Sequence, residues 1–172
     1  MANTYTLISS NVLSSSAASV TFSSIPATFT DLVVRFSGRS DESGQTRSDL
    51  ILVVNGTSAN YSYTRLIGSG SAATSSRVSG TVSFGPGDIN AADSTANTFT
   101  NGEIYIPSYL ASQNKQISSI LAQENNTTSA FIRAYANLWS NTAAITSLAF
   151  TVNGGFNFVS GSSFYLYGIN NS

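Results

Sequence analysis

The segment Asp31-Leu-Val-Val-Arg-Phe-Ser37 carries the pattern that decides the fold. Leu32, Val34 and Phe36 share one side of an extended chain, and mostly polar residues alternate with them on the other side. A period of two is typical of a β-strand with one face in a core and one face in water. The segment therefore predicts a half-buried strand.

Runs of this kind recur along the whole chain and are bounded by Gly, Ser, Asn and Pro, which is the spacing expected of a sandwich or barrel. The predicted strands are residues 4–9, 19–22, 31–37, 49–55, 61–67, 77–84, 98–106, 117–124, 130–139, 145–152 and 163–169. Segments 41–46, 69–76 and 86–97 are small and polar and are predicted to be loops. The chain is thus expected to be all-β, an antiparallel β-sandwich of roughly eight to eleven strands in a single domain, residues 1–172.

The composition restricts the function. Only 9% of the 172 residues are charged, the net charge is −1, and the chain has neither His nor Cys. Six Arg and one Lys are scattered singly, so we expect no binding to nucleic acid. The N-terminal sequence lacks a basic and an apolar region, and the longest aliphatic run is Leu50–Val54, so no signal peptide or membrane span is expected.

The remaining polar residues give weak indications of chemistry. The carboxylates are thinly spread and mostly in predicted loops; Asp41, Glu42 and Asp49 offer oxygens for Ca²⁺, but no calcium-loop pattern orders them. A serine nucleophile without His needs a Lys, and nothing near Lys115, the only lysine, resembles Ser-x-x-Lys. We therefore expect no catalytic site, no cofactor and no metal, and a protein that is not an enzyme.

Segment 130–139 is the most informative about binding. One side carries three aromatic residues, an arginine and an amide, a combination enriched at the centres of protein interfaces and at sugar-binding platforms: Phe131, Arg133, Tyr135, Asn137 and Trp139. The opposite side carries small and aliphatic residues. Two interpretations remain open: the aromatic side is an interface with another chain, or it faces the core and the small residues face outward.

Two stretches resemble small virion structural proteins of tailed bacteriophages, including phages of cyanobacteria: Ser24-Ile-Pro-Ala-Thr-Phe-Thr-Asp-Leu-Val-Val-Arg35 and Gly161-Ser-Ser-Phe-Tyr-Leu-Tyr-Gly-Ile169. The opening Ala-Asn-Thr-Tyr-Thr-Leu-Ile and the Cys-free composition rich in Ser, Thr and Asn fit the same resemblance. It implies a jelly-roll-like sandwich that works by assembling, typically as a trimer, on the capsid or at the tail.

Within this class a capsid decoration (cement) protein is favoured over a tail-fibre tip. The chain starts at Met and shows the pattern of a β-sandwich over its whole length, without the repetitive or coiled shaft that precedes a fibre tip. The expected partners are further copies in a homotrimer and the major capsid protein or other virion proteins, and the expected location is the surface of the virion. A second apolar face on Leu50–Val54 and the low net charge favour assembly. The alternatives are a receptor-binding tail component or a carbohydrate-binding module whose Tyr135 and Trp139 stack on the rings of a glycan.

Overall fold

The computed structural model describes residues 4–126 and 130–170. These residues form twelve strands and one short 3₁₀ turn, Asn153–Gly155. The strands are β1 Tyr5–Val12, β2 Ser19–Phe22, β3 Asp31–Gly38, β4 Arg47–Val54, β5 Tyr61–Gly68, β6 Ala73–Thr81, β7 Phe84–Asn90, β8 Thr100–Ile106, β9 Lys115–Gln123, β10 Phe131–Trp139, β11 Leu148–Val152 and β12 Ser163–Ile169.

The strands form two antiparallel sheets that pack face to face, which confirms the predicted β-sandwich. The large sheet has the order β1-β12-β3-β8-β9-β10-β5-β6, and the small sheet has the order β2-β11-β4-β7. Eight of these strands form a jelly-roll frame, with β1-β12-β3-β8 facing β2-β11-β4-β7. Two hairpins, β5–β6 and β9–β10, are inserted into this frame and lengthen the large sheet by four strands.

One hydrophobic core fills the space between the sheets. It is built from the inward-facing positions of both sheets, such as Leu32 and Val34 of β3, Leu50 and Leu52 of β4, and Phe164 of β12. These are positions that the period of two places on one face, so local pattern and tertiary packing agree along β3 and β4.

Strand β7 is a correction to the sequence-based assignment, which placed residues 86–97 in a loop. Gly85, Pro86 and Gly87 interrupt any alternation in β7, and this composition predicts a turn. The strand lies at the edge of the small sheet, where a proline costs no ladder hydrogen bond with a further strand. Similarly, β6 starts at Ala73, inside the predicted loop 69–76, and ends at Thr81.

Glycine in β7 allows the two sheets to approach closely. A Cβ at Gly87, whose φ is 152°, would lie 2.4 Å from Leu121 Cδ2 of β9. The neighbouring Pro86 accepts a 2.7 Å hydrogen bond through its carbonyl oxygen from Ser119 Oγ, also on β9. These two contacts hold β7 close to the inserted strands, and as a result Asp88 lies next to β10.

Strand β4 lies in the middle of the small sheet, as its aliphatic run predicts. Leu50, Leu52 and Val54 are fully buried, whereas Ile51 and Val53 are only half-buried. The second face of this strand is therefore partly covered by the chain itself, less than the predicted double cover. Strand β3 is more covered than predicted, because Asp31 and Val33, on the side predicted to face water, are buried.

Candidate functional site

The aromatic side of β10 faces the interior of the chain. Arg133, Tyr135, Asn137 and Trp139 are buried and Phe131 is half-buried. The interpretation of these five residues as an exposed interface is therefore wrong, and so is the stacking of Tyr135 and Trp139 on a glycan. The reason is β7, which covers this face from within the same chain.

A buried ion pair explains how Arg133 is accommodated inside a sandwich. Its Nη1 lies 2.7 Å from Asp88 Oδ2 of β7, and both side chains are only 4% exposed. Arg47 of β4 contacts the same oxygen at 3.3 Å from its Nε. Both guanidinium groups also lie over the Phe131 ring, at 4.7 Å for Arg133 and 4.9 Å for Arg47, measured from Cζ to the ring centroid. A guanidinium buried in this way needs a counter-charge, and Asp88 supplies it.

Burial raises the pKa of Asp88 to about 7, because a carboxylate loses its hydration between the sheets. Asp49, the cross-strand neighbour of Asp88 on β4, raises this pKa further through its charge and a hydrogen bond. The charges of Arg133 and Arg47 act in the opposite direction. Among the described residues, Arg133 Nε has no hydrogen-bond acceptor, so the ion pair of Arg133 and Asp88 leaves one buried donor unsatisfied.

The cluster lies at the inner end of a polar cleft of about 450 Å³ between β4, β7 and the inserted strands. Its lining includes three of the six arginines, Arg47, Arg65 and Arg133. Asp49 and Asp88 form a carboxylate pair that the sequence does not reveal, because the composition around Asp88 predicts a loop. Asp88 is buried and its Oδ2 contacts two guanidinium groups, so the cluster serves as a polar anchor between the sheets.

Other candidate residues are also engaged in the fold. Lys115 is buried, and its Nζ donates to the carbonyl oxygens of Ala111 and Gln113 at 2.7 Å each. Asp41 accepts hydrogen bonds of 2.8 Å from the backbone N–H and the side-chain amide of Asn157. No group of three or more potential metal ligands occurs within residues 4–126 and 130–170.

The exposed side of β10 belongs to the outer face of the large sheet. Three large aliphatic side chains project from neighbouring strands there: Leu66 of β5 is 56% exposed, and Ile120 of β9 and Ile132 of β10 are each 60% exposed. Ala134 lies between Leu66 and Ile120, as the direct cross-strand partner of both. We call these four residues the aliphatic patch.

A trough adjoins the aliphatic patch on the same strands. It has a volume of about 460 Å³ and follows one cross-strand row. This row runs from β8 to β6 and comprises Tyr105, Ser118, Ala136, Thr64 and Arg77. The three central residues are small, and a large side chain stands at each end. We call this feature the outer trough.

Comparisons with known proteins find no matching family model, no matching curated protein and no matching solved structure. Within the part of the chain that the structure describes, no helix has the length and apolar character needed to cross a membrane. The fold itself defines the class, an all-β sandwich with an extended large sheet.

Proposed function

We propose that this chain is a non-enzymatic structural protein of a bacteriophage virion, a capsid decoration protein that assembles as a homotrimer and binds the assembled shell. The resemblance of both ends of the chain to small virion proteins supports this proposal. The jelly-roll frame is in keeping with it, because jelly rolls are common in viral capsid proteins.

The observation that carries the proposal is the aliphatic patch. Isolated exposed apolar residues are ordinary, but here three large aliphatic side chains lie together on adjacent strands, and this clustering supports the proposal of an interaction site. The patch lies on the inserted hairpins and not on the eight-strand frame. Its burial against another protein removes apolar surface from water and favours attachment.

Attachment through such a patch stabilises a shell by mass action. A protein that binds the assembled lattice and not the free subunits shifts the equilibrium towards the lattice. The low charge of the chain, 9% of residues, limits repulsion between neighbouring copies on the shell.

Introducing a charge into the patch is expected to abolish attachment. Ile132→Asp places a carboxylate within the aliphatic patch, where attachment would bury it without a counter-charge, so shell occupancy falls at least tenfold. The control is Val82→Asp, because Val82 is 64% exposed and lies outside the patch. Occupancy is measured by cosedimentation of the protein with stripped particles, and circular dichroism checks that both variants keep the β spectrum.

Gold labelling of intact particles tests the location independently. Copies distributed over the shell are the expected result, and copies confined to the tail would contradict a decoration role in favour of receptor binding.

Equal occupancy for Ile132→Asp and Val82→Asp would show that the patch is not the attachment surface. Reproducible product release from capsular polysaccharide, peptidoglycan or esters, abolished by a single carboxylate substitution, would contradict the non-enzymatic role.

A further inference from the structure

The outer trough has small side chains along its floor and a large side chain at each end. Ser118, Ala136 and Thr64 occupy three neighbouring strands, and all three are exposed. The ends are Tyr105 and Arg77, four strand spacings or about 19 Å apart. Ser62, Gln116 and Leu138 continue the lining along the strands.

The lining offers hydroxyl and amide groups together with apolar surface. Ser62, Thr64 and Ser118 carry hydroxyls that both donate and accept hydrogen bonds, and Gln116 adds an amide. Ala136 and Leu138 supply apolar surface beside them. Within the described residues Arg77 forms no ion pair, so its guanidinium is available to a ligand.

Tyr105 is held as a fixed wall. Its hydroxyl donates a 2.7 Å hydrogen bond to Asp31 Oδ2, and this bond is the main reason why the pKa of Tyr105 is raised to about 12. The Asp31 carboxylate also accepts a hydrogen bond of 2.8 Å from the backbone N–H of Ser108, which fixes the carboxylate in turn. Tyr105 remains 36% exposed and lines the trough.

We propose that the outer trough binds an oligosaccharide. Sugar rings present hydroxyls at their edges and C–H groups on their faces, and the trough matches both with its hydroxyl-bearing floor, its apolar surface and its fixed tyrosine ring. The volume of about 460 Å³ lies within the range of ligand sites. This inference goes beyond the proposed structural function and does not depend on it.

Other extended ligands match the trough less well. An added peptide strand needs a free sheet edge, whereas the floor belongs to β5, β9 and β10, which are paired on both sides. A nucleic acid needs several cations along its phosphates, and Arg77 is the one cation in the lining.

The test is binding of the full chain to an array of neutral-hexose and uronic-acid oligosaccharides, followed by titration of each bound oligosaccharide. The wild type is expected to bind at least one class. Ala136→Trp fills the floor and should weaken binding at least tenfold. The matched control is Ala134→Trp, the same change two residues away on the same exposed face but outside the trough lining.

Two variants of Tyr105 separate the ring from its hydroxyl. Tyr105→Ala should also weaken binding at least tenfold, whereas Tyr105→Phe keeps the ring and should retain most of the affinity. Arg77→Gln distinguishes the ligand classes, because it should weaken binding of uronic-acid oligosaccharides and leave binding of neutral ones nearly unchanged.

The proposal would be overturned if the wild type bound no oligosaccharide on the array. It would also be overturned if Ala136→Trp and Ala134→Trp bound oligosaccharide equally well. Attachment to the shell gives the opposite pattern, because Ala134 is the centre of the aliphatic patch. Ala134→Trp should therefore impair shell attachment and leave glycan binding unchanged. Ala136→Trp should impair glycan binding and leave shell attachment unchanged. Failure of either proposal is thus visible without failure of the other.

Discussion

Trp139→Ala is expected to lower the free energy of unfolding by about 3 to 5 kcal/mol, the usual cost of truncating a fully buried aromatic side chain. Trp139 is the only tryptophan and is 0% exposed. Its ring stacks on Tyr61 with centroids 6.4 Å apart, and Tyr61 packs in turn against Phe84 of β7. The loss of the indole leaves a cavity between the inserted strands and the small sheet. Urea unfolding followed by circular dichroism measures the change.

Two further variants make this measurement specific. Trp139→Phe keeps an aromatic ring, and within the described residues the indole Nε1 has no hydrogen-bond partner to lose, so the loss should be well below that of Trp139→Ala. Ile132→Ala changes a side chain on the exposed face of the same strand and should alter stability by no more than about 0.5 kcal/mol. Equal stability of Trp139→Ala and the wild type would contradict the burial of this face. Tyr135→Ala should likewise destabilise the isolated chain.

The protein is expected to be more stable at pH 5 than at pH 8. Asp88 has a pKa of about 7 in the folded chain against an ordinary value of 3.8, so the folded state binds the proton more tightly than the unfolded state does. The resulting stabilisation is complete below the unfolded pKa and is lost as the pH rises through about 7. Between pH 5 and 8 the expected loss is about 2 to 3 kcal/mol. The chain has no His, the side chain that ordinarily titrates in this range.

Substitutions of two neighbours of Asp88 should change this pH dependence in opposite directions. Arg133→Met removes the charge that most favours the carboxylate, so the pKa of Asp88 should rise and the loss of stability at pH 8 should grow. Asp49→Asn removes a negative charge, so the pKa of Asp88 should fall and the pH dependence should shrink. Urea unfolding at half-unit steps from pH 5 to 8 records both. A stability that is constant or rises over this range would contradict the assignment.

The strand β10 shows what a period of two can and cannot determine. Alternation along β10 separates its aromatic side from its small side without ambiguity. It does not determine which side is covered, because Arg133 and Asn137 argue for the surface while Tyr135 and Trp139 argue for the core. The outcome depends on Asp88, which is 45 residues away in the sequence and provides the counter-charge that makes the interior acceptable to Arg133.

The strand β7 shows a second limit. Its Gly-Pro-Gly sequence has the composition of a turn, and no local signal distinguishes it from the loop that follows. The segment becomes a strand because β4 pairs with it and because Gly87 lets Leu121 pack directly against its backbone. Without β7 in place, Asp49 and Asp88 remain two unrelated carboxylates, which is why the cluster was not predicted.

Local alternation and turn composition were enough to predict the all-β class, most of the strands and the inward-facing residues of β3 and β4. Three features emerge only when the whole chain folds: the jelly-roll frame with its two inserted hairpins, the burial of the aromatic side of β10, and the adjacency of the aliphatic patch and the outer trough. These features depend on which distant strands become neighbours, and strand pairing is a property of the whole chain that no local period encodes.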